Sequence, residues 1–173
     1  MMKRKAALAF VAAAAVGTAQ PAVADDRATF SGTFRIEMQA PAERTLTLYD
    51  PVGESAWAPG WAPVFARAAD RRALPDGTVF VTRDHGDRPT TWVLQRYDRV
   101  QREIAYITYT PDEAVVAIHI SVRDRAAGTS EAEVRYELVA TTPAGDSFVQ
   151  SFGSHFAHMQ PHWQQAIDAA LAR

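Results

Sequence analysis

The chain of 173 residues contains no cysteine. That absence excludes disulfides, thiolate zinc sites, thiol nucleophiles and a lipidated N-terminal cysteine together, so any domain here must be held by packing. Lysine is almost as scarce. Lys3 and Lys5 are the only two, and all fifteen cations from Arg27 onward are arginines. Long apolar runs are missing as well: the longest covers residues 6–16, about half of the ~20 residues a membrane-spanning helix needs. Signatures of catalysis are absent too, with no Gly-x-Ser-x-Gly elbow, His-Glu-x-x-His pair, Gly-x-Gly-x-x-Gly turn or phosphate loop.

What is present begins at the N-terminus. Lys3, Arg4 and Lys5 precede the apolar stretch 6–16, and Ala22-Val23-Ala24 follows with the small-x-small pattern of a peptidase site. Residues 1–24 are therefore expected to be a secretory signal peptide, cleaved near Ala24, and the product to be periplasmic or secreted, with no stable membrane insertion. The remaining 25–173 are expected to form one domain, a length sufficient for a substantial core. That part holds fifteen cations against twenty carboxylates, a formal charge of −5. An acidic surface argues against nucleic acid as a partner, because nucleic acids are bound through clustered cations.

Hydrophobic periodicity predicts the order of elements. A strand is expected over 28–39, a short helix over 42–49 opened by Pro41, a second helical turn over 53–57, and an irregular path through Pro59, Gly60 and Pro63. Antiparallel strands follow at 77–84, 90–97, 103–110, 114–123 and 131–140, with Asp84-His85-Gly86-Asp87 as a turn. Val116, Ile118, Ile120 and Val122 alternate with polar or small residues, as do Val134, Tyr136 and Leu138, which gives a sheet with one buried face. The expected cover is a helix over 146–172, capped by Asp146 and kinked at Pro161. Phe148, Phe152, Phe156, Met159, Trp163 and Ile167 recur along one stripe of it.

Strand, two short helices, antiparallel strands and a long terminal helix is an α+β order that resembles the helix-grip proteins of the SRPBCC superfamily, also called START-like or Bet v 1-like. The local wording agrees: Thr45-Leu46-Thr47-Leu48-Tyr49 before Pro51, then Gly53-Glu54, Trp57, Pro59-Gly60-Trp61, Gly77-Thr78-Val79-Phe80 and Trp92-Val93-Leu94 with Tyr97-Asp98. The chain looks like bacterial members of unassigned function that are often labelled polyketide cyclase/dehydrase or lipid transport. The resemblance implies a curved sheet wrapped around the C-terminal helix, with a cavity between them for lipid-like or aromatic molecules. Fold alone does not fix function.

The expected lining is Phe80, Trp92, Leu94, Tyr106, Ile118 and Ile120 from the middle strands, Val134, Tyr136 and Leu138 from the last, and Phe148, Phe152, Phe156 and Met159 from the helix. Large apolar walls with a few hydroxyls suit an apolar ligand; the same side chains also suffice to fill an ordinary core. No cofactor is expected. His155, His158 and His162 share a helical stripe and could ligate zinc or copper, but the favoured reading is a solvated flank, and no metal site is assigned. Glu54 is expected as a surface carboxylate at a tight corner. Trp57 and Trp61 suit either the mouth of a cavity or packing against the sheet. Three functions remain open: a ligand carrier, an enzyme (cyclase, isomerase or hydrolase) whose acid/base groups come from Tyr106, Tyr136, Glu54 or His119, and an interaction domain with a filled interior.

Overall fold

The computed structural model describes residues 26–83 and 88–173. Residues 1–25, which include the expected signal peptide, and residues 84–87, where a turn is expected, lie outside them. Seven strands form one antiparallel sheet in the order β1-β7-β6-β5-β4-β3-β2. They are β1 (Thr29–Met38), β2 (Val64–Phe65), β3 (Thr78–Thr82), β4 (Thr90–Asp98), β5 (Glu103–Thr110), β6 (Ala114–Asp124) and β7 (Ser130–Ala140). Between β1 and β2 come α1 (Ala42–Thr47) and a single 3-10 turn at Gly53–Ala56; α2 (Asp70–Ala73) precedes β3, and α3 (Pro143–Leu171) closes the chain.

Each predicted strand is present, because period-two alternation with one buried face specifies both strand and register. In β7, Val134, Tyr136 and Leu138 are buried while Arg135, Glu137 and Val139 are exposed. The last strand added, β2, and the helix α2 have only two and four residues, too few to leave a period in the sequence. A register shift between Leu94 and Arg96 bends β4 against β5.

The start of α3 differs from expectation. Its N-cap is Thr142, whose hydroxyl accepts from the Gly145 N–H at 3.1 Å, and Pro143 begins the first turn. Proline suits that position, since its fixed φ is helical and its missing N–H would have had no partner. Asp146, the expected cap, instead accepts the Ala28 N–H at 2.8 Å and pairs with Arg27 at 3.2 Å. It ties the entry of β1 to the helix.

As an edge strand, β1 presents unpaired backbone groups. One pair is covered by a side chain: the Gln164 amide accepts from the Glu37 N–H at 3.1 Å and donates to the Glu37 carbonyl at 2.6 Å. Gln164 thus occupies the place of a neighbouring strand. Replacing it with leucine is expected to lower stability by about 1 kcal/mol and to expose the edge. Denaturant titration reads the first effect, and light scattering at raised concentration reads the second.

Candidate ligand site between the sheet and the C-terminal helix

The inner face of the sheet holds two aromatic clusters. Beneath α3, Phe34 and Tyr136 stack at 6.4 Å, Phe30 meets Phe152 and Phe156 at 5.7 and 5.0 Å, and Trp163 meets Phe34 edge-on at 5.3 Å. Gly32 makes room for this layer, since a Cβ there would lie 2.5 Å from the Phe156 ring. On β3 to β5, Phe80 and Trp92 stack at 5.6 Å, with Tyr106 edge-on to both. Ile118, Ile120, Val134, Leu94 and Leu138 are buried around the two clusters.

The corner between α1 and β2 joins the clusters. Trp57 donates its indole N–H to the Leu48 carbonyl at 2.7 Å, and Trp61 donates to the Pro51 carbonyl at 2.8 Å. Fixed in this way, Trp57 packs on Trp163 at 4.9 Å and Trp61 on Trp92 at 5.1 Å. Asp50 shapes the turn by accepting the Val52 and Gly53 N–H groups at 2.9 and 2.7 Å, while the Tyr97 hydroxyl donates to its other oxygen at 3.1 Å.

Glu54 departs from expectation. It is 8 % exposed, because the 3-10 turn points it into the protein and not across the corner's surface. Its charge acts on three inner tyrosines. Burial is the larger cause raising the hydroxyl pKa of Tyr49, Tyr106 and Tyr136, and the Glu54 carboxylate is the second cause for each. Phenols held protonated in this way are hydrogen-bond donors at every ordinary pH. Tyr106 spends its proton on the Tyr49 carbonyl at 2.8 Å, and the Tyr49 hydroxyl reaches the Met38 sulfur at 3.7 Å.

The Tyr136 hydroxyl has no hydrogen-bond partner among the described residues, and its ring packs against four aromatic neighbours. Among those residues no buried side-chain oxygen or nitrogen is both sealed and unpaired. The hydroxyl is therefore not fully sealed, consistent with the 7 % exposure that Tyr136 retains. Phe148, Phe152, Phe156 and Met159 are likewise only half-buried, and Phe152 and Phe156 pack on the rings of Phe30 and Tyr136. The helix lies along β1 and β7. It leaves the inner face of β3 to β5 to the tryptophan corner.

Of the acid/base groups proposed from sequence, Glu54, Tyr106 and Tyr136 come together, and His119 does not: it is exposed on the outer face of β6. His155, His158 and His162 are exposed along α3. Among the described residues no group of three or more His, Cys, Asp or Glu is placed to hold a metal. Phe34, Tyr49, Trp57 and Trp163 belong to the inner surface but were not expected in its lining. The alternation of β1 and the helical stripe carried the signal for Phe34 and Trp163; the corner has no periodicity to place the other two.

Tyrosine titration checks this arrangement. Burial, followed by the charge of Asp50, pushes Tyr97 up to about 12, and the three inner phenols are also raised. A folded pKa above the unfolded value of about 10 stabilises the fold fully below pH 10, and that contribution is lost as pH climbs through the folded value. Phenolate absorbance is expected to show the inner tyrosines ionising only together with unfolding, and stability to fall steeply above about pH 10. Three inner phenols titrating freely near pH 10 in a folded protein would contradict it.

No protein-family model matches the chain, and no curated protein matches it in sequence. Solved structures do match. The Zhui aromatase/cyclase of a Streptomyces species aligns with a TM-score of 0.65 at 13% identity, covering 84% of this chain and 95% of that one. A norcoclaurine synthase of Thalictrum flavum, solved as a point mutant with a transition-state analogue, aligns at 0.62 and 13% identity over 86% and 98%. Ara h 8.0201 aligns at 0.60 and 12% identity over 84% and 100%. The fold is the helix-grip fold of the SRPBCC, or Bet v 1-like, proteins.

Proposed function

We propose that this is an exported binding protein that holds one apolar small molecule, lipid-like or aromatic, between the sheet and α3. The observation that carries the proposal is the Tyr136 hydroxyl, a largely buried donor that has no hydrogen-bond partner among the described residues and is not fully sealed, on a ring packed among aromatic neighbours. A ligand oxygen there would satisfy the hydroxyl, while the rings supply contact area worth roughly 25 cal/mol per Å² buried. Export rests on the charged, apolar and small-residue pattern of residues 1–24. No helix among the described residues is long and apolar enough to cross a membrane. A related protein, norcoclaurine synthase, has been solved with dopamine and hydroxybenzaldehyde, which supports aromatic molecules as a class to test first.

Organic extraction of the purified protein followed by mass spectrometry tests the proposal. One apolar species per chain is expected from the wild type, with recovery reduced in Tyr136→Phe. No species in the extract and no affinity for apolar probes would refute it. N-terminal sequencing of the exported form is expected to begin at Asp25.

A second reading has its own observation. Glu54 is a buried carboxylate close to the protonated Tyr106 and Tyr136, and a base beside a phenol donor is a pairing that serves acid/base chemistry. Turnover of a bound carbonyl compound that Glu54→Gln abolishes, with ligand affinity retained, would favour an enzyme over a carrier.

A further inference from the structure

The outer face of the sheet carries an apolar surface that the interior site does not use. Strand register sets Val64, Val81, Thr91, Tyr109, Val115 and Val139 side by side in one row across six strands. Two residues along each strand, Val79, Val93, Ile107 and Ala117 form a second row. Val64, Tyr109 and Val139 are 71 %, 43 % and 49 % exposed, and the other apolar members are half-buried. A solvent-facing side of an antiparallel sheet is normally polar. The other end of this face obeys that rule, with Arg35, Arg135 and Glu137 exposed.

A hollow lies beside the second row. Its volume is about 260 Å³, and Ala105, Ala117, His119 and Arg135 are among the residues that line it. Outward-facing residues along β5 therefore decrease in size from Tyr109 through Ile107 to Ala105, with a ridge on one side of Ile107 and a hollow on the other.

We propose that this face binds a second copy of the chain, sheet against sheet, about a two-fold axis crossing the strands at Ile107 and Ala117. Such an axis reverses strand direction, so the Tyr109 ridge of each copy lies over the Ala105 hollow of the other. A two-fold contact requires a self-complementary surface, and a ridge and a hollow equally spaced from one line provide it. The two apolar rows span about 24 Å across the strands at their widest and about 14 Å along them, or roughly 300 Å². That is about two-fifths of the ~800 Å² per partner of a standard interface, with the polar residues that flank the rows supplying the rest.

Charge argues against a lipid surface as the occupant. Around and beside the rows both signs are present and paired within the chain, Arg88 with Glu113 at 3.3 Å and Arg135, at the hollow, with Glu137. From residue 25 onward the formal charge is −5, whereas peripheral membrane faces are cationic.

Sedimentation equilibrium of the purified protein, with and without anionic vesicles, tests the proposal. A monomer–dimer equilibrium is expected, weakened about tenfold or more by Ile107→Glu, which places a carboxylate on the axis. Ala105→Trp fills the hollow without adding charge and is expected to weaken it similarly. His158→Glu adds charge on the exposed side of α3 and is expected to change nothing. Circular dichroism confirms that each variant is folded, and the two interface variants give independent readings. Wild type that stays monomeric to about 100 µM, or a dimer that both interface variants leave intact, overturns the proposal. So does a protein that remains monomeric and binds the vesicles through Ile107.

Discussion

Replacing Trp163 with alanine is expected to destabilise the protein by about 3–5 kcal/mol, the range for truncating a large aromatic side chain in a packed interior. Few side chains here touch as many structural layers. Its indole meets Phe34 at 5.3 Å, Trp57 at 4.9 Å, and Tyr49 and Tyr136 at 6.4 Å. It thereby joins α3, the edge strand β1, the last strand β7 and the tryptophan corner in a single contact set. Edge-on and tilted pairs of this kind contribute about 0.5–1.5 kcal/mol each beyond the area they bury. The loss should appear as a fall in melting temperature of roughly 6–20 °C for a domain of this length. Trp163→Phe keeps a ring in place and is expected to recover about half of it. A loss below 1 kcal/mol in denaturant titration would show that the helix is anchored elsewhere.

Gly53→Ala is expected to have an effect of similar size through a different cause. A Cβ at position 53 would stand 1.7 Å from the Thr47 carbonyl oxygen and 2.8 Å from its carbon. Both are backbone atoms at the end of α1, so no flexible side chain can move aside. Relief requires the 3-10 turn to shift, and with it Glu54 and Trp57, which the turn aims inward. The variant is expected to lose several kcal/mol, as strained buried backbone does, and to change ligand affinity more than Ser55→Ala, an exposed neighbour. Near-ultraviolet circular dichroism, sensitive to the stacked tryptophans, reads the displacement separately from global stability. An unchanged spectrum in Gly53→Ala would mean that the corner is plastic.

Legibility in the sequence followed the periodicity. The span Glu103–Thr110 was readable to the residue, since Ile104, Tyr106 and Thr108 point inward and their neighbours outward. The stripe from Phe148 to Ile167 gave the long helix. All thirteen expected lining residues lie on the inner sheet face or the underside of α3, and the packing of Trp92, stacked on Phe80 and edge-on to Tyr106, settles which way Trp92 and Tyr106 face.

Where no period exists, the sequence could not indicate direction. Glu54 sits in a single helical turn among Gly53, Ser55 and Ala56, and nothing in that composition distinguishes an inward carboxylate from an outward one. Its burial brings it near residues distant in sequence, the tyrosines of β5 and β7. The helix cap was missed for a local reason: Thr142 and Asp146 are both capping residues, and Pro143 at the first helical position decides between them. The apolar outer rows were also beyond reach, because they exist only once strands far apart in sequence are set in register.

The central claim is that the space beneath α3 admits an apolar molecule. Titration with the uncharged fluorophore phenylnaphthylamine tests it most directly, using Ile107→Glu to remove any binding at the outer face. The account predicts saturable binding of one probe per chain, unaffected by Ile107→Glu and lost in Leu138→Trp, where the added ring would occupy the space next to Tyr136. Absence of saturable binding, or binding that Leu138→Trp leaves intact in a folded protein, would contradict it.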